Sequence, residues 1–327
     1  MVAGNAAPVT DRPVSVLIPV YQRPVLVRRA VDSALAQTHG NLEIIVIDNA
    51  STDATWEVVN ALAERDGRVR CFRNDTNLGP VRSWIRGLEQ CRGDYVKILW
   101  SDDWMSPTCV AESLVALAEH PGAGIVFTST FIHDGQTPVP FYHFPNRRWI
   151  TAEAYFAASI QDGSMPVSPG CTLVQRNLAR FRVDFPRSPS SLAGMARSLV
   201  ASRAGLAATR DGHVLREIAL STGAGSDMLF IWDAVAASGG IVHLPKFLNH
   251  FDRSPTSITV TQGDRVAGGY RLAARWFLDT SVADSAMRRR LRMTWHEAWP
   301  KRWERTVRRA VRRTLGSLRS RWLGRAA

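Results

Sequence analysis

The sequence predicts an α/β fold: a mostly parallel central sheet flanked by helices, followed by a C-terminal, basic, helical extension. Three observations carry this. Short β-branched runs alternate with stretches of helical period through the first half, as in successive βαβ units. Polar clusters fall where the strands end, which is where open α/β sheets bind ligands. Positive charge is concentrated at the far end, with fourteen Lys and Arg against three Asp and Glu from Asp284 onward. That segment carries +11 of the formal +12, leaving the rest nearly neutral. With 327 residues and 45% hydrophobic content, the chain can bury one large domain and a helical appendage, which excludes disorder throughout.

The elements follow in order. Val14 to Pro19 reads as a first strand, and Pro24 to Gln37 as a helix that opens with proline at its first position. Leu42 to Asp48 is a buried strand, Asp53 to Arg65 a helix, Val69 to Arg73 a short strand and Pro80 to Cys91 a helix. Tyr95 to Leu99 is a strand that runs directly into Trp100-Ser101-Asp102-Asp103. A helix at Pro107 to His120 and a strand at Gly124 to Ser129 come next, then Pro- and Gly-rich loops from Asp134 to Pro145. Ser226 to Ser238 is helical, Ile241 to Leu244 a late strand, and His250 to Thr259 a loop. Domain boundaries are expected at 1–260 and 261–327. From Trp303, apolar residues at steps of three and four oppose Arg305, Arg308, Arg309, Arg312 and Arg313, the pattern of a basic amphipathic helix.

The first eleven residues lack a basic start followed by an apolar core, and no window reaches the roughly 18 apolar residues of a spanning helix, so a cytoplasmic protein is expected. The tail either packs on the domain or lies on an anionic membrane, which would make the protein peripheral on the inner face. Cys71, Cys91, Cys109 and Cys171 lack metal-type spacing and read as reduced thiols.

The three strand ends, Pro19-Val20-Tyr21, Asp48 to Asp53 and Ser101 to Asp103, converge on one crevice. Adjacent carboxylates at Asp102 and Asp103 suit Mn²⁺ or Mg²⁺, which take hard oxygen ligands and stabilise a departing diphosphate. The alternative is that one of them caps the helix near Pro107. A dinucleotide-dependent oxidoreductase ranks last, because the first βα turn, Pro19 to Pro24, has no glycine for a pyrophosphate to approach. A nucleic-acid-binding protein is disfavoured, since the domain carries almost no net charge and no recognised motif.

The segments VSVLIPVYQRP, LEIIVIDNASTDAT, NDTNLGP, RGDYVKILWSDDWMSP and GSDMLFIWDAVAASGG, in that order over Val14 to Thr259, resemble the inverting glycosyltransferases of family 2, which have the GT-A fold. The resemblance implies transfer of a sugar from a nucleoside-diphosphate sugar, a UDP-sugar being favoured, to a cell-surface or lipid-linked glycan, or to a small natural product. It places Pro19, Tyr21, Arg23 and Ser101 around the nucleotide sugar, with Asp48 on the base. Asp102 and Asp103 become the metal motif; the family's first acid is replaced by Trp100, leaving Ser101-Asp102-Asp103. Asp227 is implied as the general base that deprotonates the acceptor, the alternative being a helix-start residue favoured by the dipole. Ser226 stands in for the usual Glu on the acceptor side. The late loop offers His250 or Arg253 to phosphate or metal, with Asp252 and Ser254 where Arg and His are common. Asn77 and Gly79 either line the donor pocket or form a turn. Trp84, Trp100 and Trp104 either stack on substrate or pack, Trp104 being placed where acceptor and donor sugars meet.

Overall fold

The computed structural model describes residues 8–145, 148–183, 213–253, 258–282 and 284–295. Strand β1 (Val14–Val20) is buried along its whole length, as expected of a continuous apolar run covered on both faces. It pairs in parallel with β2 (Leu42–Asp48) and β4 (Tyr95–Ile98), and β2 pairs in parallel with β3 (Val69–Arg73). Helices α1 (Pro24–Leu35), α2 (Thr55–Arg65) and α3 (Pro80–Leu88) make the crossovers.

Beyond β4 the sheet is mixed. The order is β3-β2-β1-β4-β9-β6-β10-β5, with β5 (Trp104–Met105), β6 (Ile125–His133), β9 (Thr172–Gln175) and β10 (Gly240–Asp252). Strand β9 runs antiparallel to both β4 and β6, whereas β10 is parallel to β6. Short strands β7 (Val139–Phe141) and β8 (Trp149–Thr151) pair with β6 and β10.

Alternate residues of β1 feed two cores. Val16 and Ile18 join Val27, Val31 and Leu114 beneath α1, α2 and α4 (Cys109–Ala118). Leu17 belongs to the opposite core, with α5 (Ala152–Gln161), α7 (Ser226–Ser238) and α8 (Gly263–Thr280). Helix α6 (His213–Thr222) packs against α3 and α8, a one-turn helix covers Ile258–Thr261, and α9 spans 285–295.

Several expectations need correction. The strand expected at Ile241 to Leu244 continues to Asp252, so His250 belongs to β10 rather than to a loop. Strands β7, β8 and β9 and helices α5 and α6 arise where the periodicity is broken. The expected boundary at residue 260 does not separate two cores: Ala273, Trp276, Phe277 and Leu278 of α8 pack with Phe230 and Trp232 of α7. The tail helix from Trp303 lies outside the described residues. All four cysteines are free, and burial pushes the Cys91 and Cys171 thiols up to about 12. Among the described residues, no helix is long and apolar enough to cross a membrane.

Candidate active site

The ends of β1, β2 and β4 form one hydrogen-bonded network. Asp48 is fully buried; its carboxylate accepts the Ser51 amide at 3.2 Å and the Ser51 hydroxyl, and it pairs with Arg73 Nε at 3.2 Å. Ser51 Oγ accepts the Gln22 amide at 2.9 Å, and Thr55 Oγ1 accepts the Arg23 amide at 2.8 Å. The Arg23 guanidinium then reaches across to the Asp102 carboxylate. Gln22 and Ala50 take positive φ, 52° and 61°, in the turns that follow β1 and β2. Strain of this kind tends to collect at functional clefts. Pro19 and Ser101 are buried, while Tyr21 is 40% exposed at the rim.

Asp102 and Asp103 do not cap α4, whose N-cap is Thr108 with no side-chain hydrogen bond. Asp103 is 5% exposed, and its Oδ1 accepts the Asp252 amide at 3.0 Å. Burial, and next the Asp102 charge beside it, raise the Asp103 carboxyl well above its ordinary value. The Asp102 carbonyl accepts from Arg29, whose guanidinium also pairs with Asp252 at 2.6 Å and lies 4.2 Å over the Trp104 ring. Two adjacent hard carboxylates, one pressed by like charge, fit a divalent cation as a partial ligand set. Among the described residues, no group of three or more His, Cys, Asp or Glu is arranged to hold one.

Four expected ligands are engaged elsewhere. His250 Nε2 meets Ser106 Oγ and its Nδ1 meets His133 Nε2, each at 3.1 Å, so neither nitrogen is turned to a metal. Trp104 stacks on His250 at 5.2 Å and packs on His133 at 4.5 Å, tying β5 to its neighbours. Ser226 is fully buried, donating to the Arg182 carbonyl and accepting its amide, so it has no acceptor face. Asn77 Oδ1 accepts the Gly79 amide at 2.9 Å, which is the turn reading. Gly79 has φ 75°, and an added Cβ would stand 2.5 Å from the Leu220 carbonyl oxygen, so this glycine serves the approach of α6. Arg253 is exposed, with its amide on the His133 carbonyl.

Asp227 opens α7 and is 8% exposed. Its Oδ1 accepts the amides of Gly225 at 3.0 Å and Met228 at 2.8 Å, and its Oδ2 accepts the Tyr270 hydroxyl at 2.8 Å. Burial outweighs these bonds and pushes the carboxyl up to about 7. The corner just before it is wedged onto the tryptophans. Gly223, at φ 80°, would place a Cβ 2.0 Å from the edge of Trp84, and Trp84 packs on Trp100 at 4.7 Å. Trp100 in turn donates Nε1 to Ser168 Oγ at 2.9 Å and lies 3.0 Å from where a Gly170 Cβ would be. Sequence reasoning missed Tyr270 and Arg29, for which helical periodicity carries no signal of function.

Residues 15–181 match the family model described as Glycosyl transferase family 2. The chain belongs to that family. An uncharacterized glycosyltransferase of Haemophilus influenzae is 38% identical over 93 residues, 28% of this chain and 37% of the relative. The Escherichia coli UDP-Glc:alpha-D-GlcNAc-diphosphoundecaprenol beta-1,3-glucosyltransferase WfaP is 34% identical over 101 residues, 31% of this chain and 39% of the relative. The family 2 chain thus spans about two-fifths of these curated relatives. Among solved structures, S. aureus TarS 1-349 in complex with UDP-GlcNAc superposes with a TM-score of 0.62 at 16% identity, covering 85% of this chain and 70% of that one. The likeness establishes the GT-A-like α/β fold. Asp102 and Asp103 lie inside the matched segment, whereas Asp227 and Tyr270 lie beyond it.

Proposed function

We propose that the chain transfers a sugar from a UDP-sugar to a hydroxyl of a lipid-linked or cell-surface glycan, with inversion at the anomeric carbon. One observation carries the reading: the anionic pair Asp102 and Asp103 crowds the sheet's carboxyl edge just past Trp100, and Trp84, packed on Trp100, abuts the Gly223 corner that leads to the buried carboxyl of Asp227, which burial pushes up to about 7. The first suits a leaving diphosphate and the second an attacking hydroxyl. WfaP, whose name carries a UDP-Glc donor and a diphosphoundecaprenol acceptor, and TarS, solved with UDP-GlcNAc and with UDP, support the choice of donor and acceptor class.

In this reading Asp227 takes the proton as the acceptor oxygen bonds to the anomeric carbon. The bond from that carbon to the diphosphate breaks, and the electron pair leaves with the nucleotide. Mn²⁺ or Mg²⁺, held by Asp102 and Asp103, would neutralise the diphosphate charge. Arg23 holds Asp102 in place, while Asp48, Ser51 and Arg73 shape the base end of the pocket beside Tyr21. The tail's charge would hold the protein at the inner face of an anionic membrane, near a lipid-linked acceptor.

The test is a thermal-shift screen of UDP-, GDP- and dTDP-sugars with Mn²⁺ or with chelator, followed by an assay of UDP release as the sugar passes to a GlcNAc-diphospholipid acceptor. A UDP-sugar should raise Tm, more so with Mn²⁺, because it binds only the folded state. Turnover untouched by replacing both Asp102 and Asp103 with Asn would overturn the reading. Deleting residues 303–327 should abolish sedimentation with anionic vesicles and leave donor binding intact.

A further inference from the structure

Asp227 is held by more than its own turn. Its Oδ1 accepts two amides from the start of α7, but its Oδ2 faces a different element, α8, through a single phenol. The approach of that helix is unusually close. A Cβ on Gly269 would lie 2.8 Å from Ile218 Cγ2 and 2.9 Å from the Ala224 carbonyl oxygen, so the α6–α7 corner tolerates no side chain there. The glycine next to Tyr270 therefore sets the distance at which the phenol meets the carboxylate.

We infer that Tyr270 is a positioning residue for the acceptor base, fixing the Asp227 rotamer and holding its carboxylate in the ionised, proton-accepting form. This rests on the reading of Asp227 as the base. The groups facing Asp227 are the Tyr270 hydroxyl from α8, the Gly225 and Met228 amides from its own turn, and Tyr142 from the segment after β7. Arg182, beside Ser226, is engaged with Asp233 instead. The phenol is thus the side-chain donor that offsets desolvation of the charged form. Burial and the Asp227 charge raise the Tyr270 pKa, so it remains a donor throughout the working range. Its hydroxyl is not needed to anchor α8, because Ala273, Trp276, Phe277 and Leu278 already bury that helix in the core.

The test is Tyr270→Phe, read in two ways: a ¹³C NMR titration of Asp227, assigned with Asp227→Asn, and the pH profile of kcat. Loss of a hydrogen bond to a charged group should move both the titration and the acid limb of kcat upward by about one to two pH units. At pH 7 kcat should fall about tenfold, with KM for the UDP-sugar unchanged. Difluorotyrosine at position 270, a stronger donor of the same shape, should move the limb the other way. Gly269→Ala, which pushes the helix back, should mimic the Phe variant. Asp227 titrating unchanged in Tyr270→Phe, with Asp227→Asn inactive, overturns the inference alone. A fully active Asp227→Asn instead removes the base reading on which it rests.

Discussion

Asp103 and Asp227 are both aspartates nearly closed to solvent, and both titrate above the ordinary carboxylate range. Their surroundings differ in sign. Asp103 carries the charges of Asp102 and Asp252 in addition to burial, with the Asp252 amide and Lys97 to offset them. Asp227 carries burial alone and meets three hydrogen-bond donors. In the proposed mechanism a cation would complete the first environment and a proton the second. On the proposed reading one residue type serves two roles, divided by which force opposes ionisation.

Replacing Asp227 with Asn should have the largest effect on this contrast, lowering kcat by about 10³ while UDP-sugar binding in the thermal-shift assay persists. Asp103→Asn should lower kcat by about 10² and weaken the Mn²⁺-dependent part of the thermal shift. It should also raise Tm, since it removes a buried like-charge conflict. If both variants lost metal response alike, the two sites would not be distinct.

The pH dependence sharpens the same point. With Asp227 near 7 in the folded protein and 3.8 in the reference state, kcat should fall on the acid side of pH 7. Folding stability has the opposite sense: the folded state holds this proton more tightly, so stability is fully present below about pH 4 and is lost as pH rises through 7. The loss is at most about 4 kcal/mol. Asp227→Asn should abolish that slope, which a Tm series from pH 4 to 8 would show. Smallest for catalysis is Gly223→Ala, which should cost about 2 kcal/mol of stability through a strained φ and a clash with Trp84, with turnover affected only through unfolding.

How far these features can be read from the chain follows from how local their causes are. Strands β1 to β4 stand out because continuous runs such as VSVLIPV and LEIIVID belong to buried parallel strands, each followed by a helix of clear period. The carboxyl-edge cluster follows from those strands: Arg23 pairs there with Asp102, while Asp48 bonds Ser51 and Arg73 and Asp103 bonds the Asp252 amide. Strand β9 is four residues between two antiparallel partners, too short to show a period of its own. His250 lies in a strand that local sequence does not announce, because β10 continues through it by pairing with β6. Ser226 sits beside Asp227 in the chain but turns into Arg182, and one residue of helical rotation is not visible in a motif match. The Tyr270 contact joins positions 43 residues apart, and helical spacing says nothing of such pairs.

Trp100 has a consequence for how many acids this edge can carry. At position 100 an indole is keyed into Ser168 and laid against Gly170 and Trp84. Replacing Trp100 with aspartate would leave a ring-sized hole and cost Ser168 Oγ one of its two donors, so adding a third acid at this edge takes more than a single exchange.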